Sequence, residues 1–198
     1  NDIGSTAAAY SAAYLGRVDI DGESFEPCPV DAVTVNPYLG TDGIQPFVDD
    51  CMKYEKMIFA LARTSNPSSS ELQMLVSGDK MIFEHVAELI GKWNEGTIGE
   101  NGYGAVGAVV GATHVSDAET MRKILKNAYF LVPGYGAQGG GLEGVSKCFN
   151  DDGLGAIINS SRGIMCAYKK TEAGGEAFAD AARAEAIRMR DEIVSVIK

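Results

Sequence analysis

The chain has 198 residues, 45% of them hydrophobic and 22% charged, which suits one globular domain with a sizeable core. Seventeen Lys and Arg stand against 27 Asp and Glu, and a net charge of −10 without any basic run argues against nucleic acid or an anionic membrane as partner. No apolar stretch approaches the roughly 18 residues of a membrane span. Cys28, Cys51, Cys148 and Cys166 show no C-x-x-C spacing and no metal-like pairing with His85 or His114. They read as reduced, mostly buried thiols of a cytoplasmic protein.

Residues 7–15 form the first expected helix, after the opening Asn1-Asp2-Ile3-Gly4-Ser5-Thr6. Tyr10 and Tyr14 make a stripe on it that reads as core or dimer packing rather than a ligand box. A start at the mouth of a helix suggests that a preceding segment is missing. A loop rich in Asp, Gly, Pro and Glu over residues 19–29 leads to a strand at 32–36, closed by Pro37, then a helix at 43–54. A second strand at 57–62 runs into the polar loop Arg63-Thr64-Ser65-Asn66-Pro67-Ser68-Ser69-Ser70. The helix at 80–93 places Ile82, Val86, Leu89 and Ile90 in one apolar stripe. The third strand, 106–112, is apolar on both faces, as parallel strands covered on both sides tend to be. Ser116 with Glu119 spells a capping box for the next helix, and His114 just before it reads as a loop-capping residue rather than a base. Strands at 129–132 and 155–159 and a helix at 175–197 complete the series.

The last two strands carry the chemistry. After the first comes Pro133-Gly134-Tyr135-Gly136-Ala137-Gln138-Gly139-Gly140-Gly141; after the second, Asn159-Ser160-Ser161-Arg162-Gly163. Exposed backbone N–H groups and a guanidinium suit a phosphate dianion, and glycine admits close backbone approach. The Gly134-x-Gly136-x-x-Gly139 spacing also matches the dinucleotide fingerprint, but that motif belongs at a first strand with an acidic residue about 20 positions on. A plain glycine-rich turn is the other alternative.

Five strands alternating with helices, after one leading helix, imply a parallel α/β sheet with right-handed crossovers. Paired phosphate loops at the last two strands are characteristic of a (β/α)8 TIM barrel, which typically needs about 250 residues. The expectation is therefore strands four to eight of a barrel plus the helix after strand three, with residues 1–198 the C-terminal portion of one domain. A complete five-stranded flavodoxin-like sheet is the alternative.

Five motifs in order carry a family resemblance: Val33-Thr-Val-Asn36-Pro37-Tyr38-Leu39-Gly40, Thr64-Ser65-Asn66-Pro67, Val109-Val-Gly-Ala-Thr113, Pro133-Gly-Tyr-Gly-Ala-Gln138-Gly139 and Ser161-Arg162-Gly-Ile164. With the opening Asp2-Ile3 and Thr6, which look like the tail of a D-x-K-x-x-D-I-x-x-T signature, they resemble orotidine 5′-monophosphate decarboxylases of the branch with longer inserts. The resemblance implies decarboxylation of orotidine 5′-monophosphate to UMP without a cofactor or metal, in a homodimer with shared active sites. It implies that Asp2 reaches the partner's site, with Thr6 at the same contact, and that the proton-donating lysine falls before residue 1. It further implies that Ser65 bonds the pyrimidine amide, Gln138 bridges phosphate and pyrimidine O2, and Arg162 grips the phosphate beside the backbone of Gly139, Ser161 and Gly163. Relatives often carry glycine where this chain has Ser161. Asn36 and Asp42 lie near the end of the fourth barrel strand, without a motif of their own. A turn serine at Ser65 and a solvated Gln138 are the bland readings. A sugar-phosphate decarboxylase or aldolase of the same barrel type, and a non-catalytic nucleotide-binding fragment, are the competing functions.

Overall fold

The computed structural model describes residues 3–136 and 140–197. Helix α1 (Gly4–Tyr14) packs along α2 (Thr41–Tyr54). Its buried positions are Ala7 and Ser11, one turn apart, and the Ser11 hydroxyl donates to Asp50 Oδ2 at 2.6 Å, joining the two helices. Between them, β1 (Val18–Ile20) and β2 (Glu23–Phe25) form an exposed antiparallel ribbon where the sequence reading has only a loop. Asp21 and Gly22 turn it, both at positive φ (52° and 83°), as a two-residue hairpin demands.

Strands β3 (Ala32–Val35) and β4 (Met57–Arg63) flank α2. A 3₁₀ turn (Pro67–Ser69), α3 (Ser70–Gln73) and the small hairpin β5 (Val76–Ser77) and β6 (Lys80–Met81) follow; the sequence reading has the polar loop over 63–70 and starts its helix at 80, where Lys80 and Met81 are strand instead. The chain continues through α4 (Ile82–Glu95), β7 (Val106–Val110), α5 (Val115–Ile124), β8 (Phe130–Val132), α6 (Leu142–Ser146), β9 (Ala156–Ile158) and α7 (Ser161–Met165). Two 3₁₀ turns (Ala167–Lys170, Gly174–Ala177) lead to α8 (Phe178–Val194). The main sheet runs β3-β4-β7-β8-β9, every pair parallel and in chain order. The expected alternation is there, and all five strands end at the same edge.

The two faces of the sheet differ. Val35, Ala60, Ala108 and Phe130 lie in register across it, at most 5% exposed, beneath the helices. On the opposite face run Leu61, Val109, Leu131 and Ile157. There central Val109 is buried, but Leu61 is 38% and Ile157 45% exposed. Burial on both faces therefore holds for central β7 and lapses toward the flanking strands. Gly107 is a close-packed point of the sheet: a Cβ there would lie 2.6 Å from both the Phe59 ring and the Tyr129 carbonyl. Gly144 brings α6 against the end of β7, where a Cβ would meet Ala112 O at 2.1 Å.

At the edge where the strands begin, Arg122 is 8% exposed and has no carboxylate partner among the described residues. It donates instead to the carbonyls of Leu125, Ala128, Cys148 and Gly155, and lies 3.6 Å from the Phe130 ring centroid. Burial pulls its pKa down to about 10.

Three local expectations change. Helix α5 starts at Val115 with His114 at the cap position, so Ser116 lies inside the first turn and caps nothing. The pull on that turn is the ion pair of Asp117 with Arg63, described below. His114 occupies the cap position, but its side chain makes no cap bond. Tyr10 and Tyr14 are 46% and 44% exposed and line a cavity of about 430 Å³ with Val33 and Phe47, so they are not core of the described residues.

All four cysteines are free; Cys51 and Cys148 are buried, Cys28 and Cys166 half-buried. Burial pushes the Cys51 and Cys148 thiols up to about 12. An unfolded thiol titrates near about 8.5, so the folded chain holds these protons longer. The stability this contributes is complete below that value and is lost as pH rises toward the folded one. Iodoacetamide at pH 8 should therefore label Cys28 and Cys166 but reach Cys51 and Cys148 only in denaturant, as peptide mass spectrometry will read. The urea midpoint should also fall between pH 8 and 10.

Candidate functional site

Because the sheet is parallel, the loops after β3, β4, β7, β8 and β9 gather at one edge, where α/β folds place their ligands. The loop after β4 is the most firmly built. Arg63, 2% exposed at the end of an otherwise apolar strand, donates from Nε to Asp117 Oδ2 at 2.7 Å. Its Nη1 reaches Ser69 Oγ at 2.8 Å and the Thr64 carbonyl at 3.1 Å. Gln73 closes the loop from the other side, accepting from the Thr64 N–H at 2.9 Å and donating to Thr64 Oγ1 at 2.8 Å. The Thr64 hydroxyl in turn donates to Asn66 Oδ1. Ser65 is half-buried between these ties and presses on Gly111 after β7, where a Cβ would come within 2.8 Å of the serine's own. Asn36 accepts the Tyr38 N–H at 3.0 Å and lines a 440 Å³ cavity with Thr64, Asn66 and Gln73. Asp42 is exposed in the first turn of α2.

The loop after β8 turns at Gly134 (φ 95°) and Gly136 (φ 74°), values that only glycine takes readily. The Gly136 N–H bonds Gly140 O at 3.0 Å, and the Gly140 N–H bonds Gly134 O at 3.2 Å, so the loop's two ends are clasped. Tyr135, 7% exposed, anchors its base: the phenol donates to Glu192 Oε2 on α8 at 2.6 Å. Burial, then that bond, pushes the Tyr135 pKa up to about 12, while the phenol and Arg188 hold Glu192 below the usual carboxylate range. Gln138 and Gly139 lie outside the described residues, as does Asp2.

The loop after β9 joins this one through Ser160, whose hydroxyl donates to Tyr135 O at 3.3 Å. Ser161 and Arg162 open α7, and Gly163 follows; a Cβ on Gly163 would lie 2.3 Å from Ser160 Oγ, so that glycine is already explained by the turn. Ser161, Arg162, Gly134, Tyr135 and Asn159 enclose a cavity of about 100 Å³. Arg162 is exposed, unlike Arg63: β9 flanks the sheet, and α7 leaves the Arg162 side uncovered. The structure thus brings Ser161 and Arg162 to one cavity with the glycine loop and puts Ser65 on the same edge two strands away. Thr6, half-buried on α1, lines neither cavity.

Two atoms went unnoticed in the sequence. Thr113 Oγ1 after β7 and Asn159 Oδ1 after β9 are buried with no hydrogen-bond partner among the described residues. Such atoms cost stability and concentrate where a ligand completes the structure. Among the described residues no group of three or more His, Cys, Asp and Glu side chains could hold a metal ion.

Comparison with known proteins agrees with this geometry. A family model described as Orotidine 5′-phosphate decarboxylase / HUMPS family matches residues 1–177. The orotidine 5′-phosphate decarboxylase of Caldicellulosiruptor bescii is 50% identical over 169 residues, 85% of this chain and 55% of that protein. The Rhodopirellula baltica enzyme of the same name is 44% identical over 197 residues, 98% of this chain and 64% of the other. Leishmania donovani OMP decarboxylase superposes with a TM-score of 0.73 at 33% identity, covering 99% of this chain and 65% of that one. The chain therefore spans between half and two thirds of the length of these relatives. Their fold is a (β/α)8 barrel, and the five parallel strands form one arc of it.

Arg63 yields a direct test. Arg63→Met should destabilise the chain by about 3 to 5 kcal/mol, since the half-buried Asp117 then keeps its charge without its partner. Arg63→Met with Asp117→Leu should regain part of that loss. Urea unfolding of the two variants reads the difference.

Proposed function

The chain belongs to the orotidine 5′-phosphate decarboxylase / HUMPS family, and on that premise we propose that the whole protein removes CO2 from orotidine 5′-phosphate to give UMP, the last step of pyrimidine nucleotide synthesis. The observation that carries this reading is the joining of the glycine loop to the arginine-bearing loop through Ser160 and Tyr135, around one cavity at the strand-end edge. The relatives' name favours a nucleotide over a sugar phosphate as substrate.

In this reading the bond from C6 to the carboxylate breaks, its electron pair stays on C6, and a lysine ammonium delivers the proton. That lysine is the one in the D-x-K-x-x-D motif that Asp2 would close. Alternating lysines and aspartates keep one another ionised until the carbanion forms. Arg162 pairs with the phosphate dianion from the rim, and the backbone of Gly139, Ser161 and Gly163 borders it. Gln138 spans phosphate and pyrimidine O2. Ser65 holds the pyrimidine amide, and its position is set by the bonds of Arg63 and Gln73 on either side. Asn159 Oδ1, which lacks a partner among the described residues, would accept a hydrogen bond from the nucleotide. No cofactor is called for.

The protein acts as a cytoplasmic homodimer in this proposal, with Asp2 and Thr6 serving the neighbour's site. The exposed tyrosines of α1 fit a face that a second copy covers. Within the barrel, the chain supplies strands four to eight as the C-terminal portion of a single domain.

Arg162→Ala should weaken UMP binding by roughly thirtyfold, about 2 kcal/mol, while leaving uridine unaffected, because one charge-assisted phosphate contact is lost. Calorimetric titration with both ligands checks this; an equal loss for uridine would remove Arg162 from the phosphate site. Asp2→Ala and Arg162→Ala proteins, each weakly active at low substrate, should complement on mixing. Random exchange makes about half the dimers mixed, each with one site intact in both residues, so about a quarter of sites recover. Proven exchange with no recovery would put Asp2 in its own subunit's site.

A further inference from the structure

The loops after β8 and β9 also wall a second cavity, of about 500 Å³, on the side facing α8. Tyr135, Ser160 and Arg162 line both this cavity and the smaller one, so the two are neighbours across the Arg162 side chain. Four cationic side chains, Arg162, Lys169, Lys170 and Arg188, line the larger cavity with Glu185 as the one carboxylate. That local excess stands out in a chain of net charge −10.

The carboxylates nearby are already engaged. Glu185 accepts from Arg188 Nε at 2.8 Å and Nη2 at 2.7 Å, and the same guanidinium bonds Glu192, which also takes the Tyr135 phenol. Arg162, Lys169 and Lys170 form no salt bridge among the described residues. The lysines are held on an ordered turn: Ala167 is buried in the core, and the Lys169 N–H bonds Cys166 O at 3.1 Å. Cations fixed by their backbone, with local acids spent on one arginine, lose less freedom on meeting an anion than cations on a loose loop.

We propose that this cavity is a second anion subsite, receiving the terminal phosphate of a pyrimidine nucleoside diphosphate whose first phosphate sits at Arg162. It rests on the reading of Arg162 as the monophosphate grip. A nucleoside diphosphate then competes with the monophosphate substrate and holds on at both cavities, with Lys169 and Lys170 distinguishing the two ligands. A free inorganic anion is a weaker ligand, because only a nucleotide engages both cavities at once.

Calorimetric titration of the whole protein with uridine, UMP and UDP at low salt tests this. UDP should bind about tenfold tighter than UMP, and added NaCl should erode that advantage. Lys169→Ala with Lys170→Ala, both exposed, should abolish the UDP advantage and leave UMP affinity little changed; the paired Lys→Arg variant should keep it. If UMP binds better than uridine but UDP no better than UMP, the subsite is wrong while the Arg162 reading stands. Equal weakening of UMP and UDP in the double variant also overturns it, since the lysines then act only as a diffuse field. If uridine and UMP bind alike, the Arg162 reading fails and the subsite fails with it.

Discussion

Parallel pairing is the constraint on which the rest of the molecule depends. Five strands running one way put every strand start at one edge and every strand end at the other. Each edge then needs something to satisfy the polar backbone groups that collect there. The two edges use a buried arginine for opposite purposes. At the start edge, Arg122 spends its donors on carbonyls and has no acidic partner among the described residues, so it serves as a many-armed clamp for the segments entering β8 and β9. At the end edge, Arg63 meets a carboxylate and a loop, joining β4 to the first turn of α5.

That difference shapes the site. The loop around Ser65 is tied on both sides, so a ligand group meeting it finds a surface already in place, with little ordering left to do on binding. The loop after β8 is clasped at its ends and anchored at Tyr135, and the anchor lies on α8. One strand end thus carries a loop tied by Arg63 and Gln73, and two strands away the glycine loop is clasped at Gly134 and Gly140. One end is a fixed surface, and the other gathers Arg162, Lys169 and Lys170 around a cavity. The acidic bulk of the chain does not oppose this, because the cations concentrate where the two loops meet.

The order of elements was legible from periodicity because the buried strands are continuous apolar runs and the long helices carry clear stripes. The shared edge followed from strand–helix alternation, and the loop motifs lie at its strand ends. What stayed hidden were pairings between distant residues. Arg63 with Asp117 and Tyr135 with Glu192 are 54 and 57 positions apart, and no local pattern announces either. A charged residue closing an apolar strand was the available signal for Arg63, and it passed for the first residue of a loop. The Ser116 capping box misled because the same spacing occurs inside a helix whose start is fixed by Asp117 instead. The exposure of Arg162 was hidden too, because a strand pattern says nothing of whether that strand is central or flanking. Asn159 was visible as a letter, but an unpartnered atom is a property of packing.

The crowded glycines carry an implication for how such a site can change over generations. Gly107, Gly111 and Gly144 have no room for a methyl group, the first against Phe59 and Tyr129, the second against Ser65, the third against Ala112. Drift at these positions is blocked by backbone and neighbouring side chains that would have to move together. New specificity must therefore arise from the loop side chains, on a chassis whose closest contacts are frozen. A mutational library that spares these three positions and randomises the strand-end loops would concentrate its diversity where variants still fold.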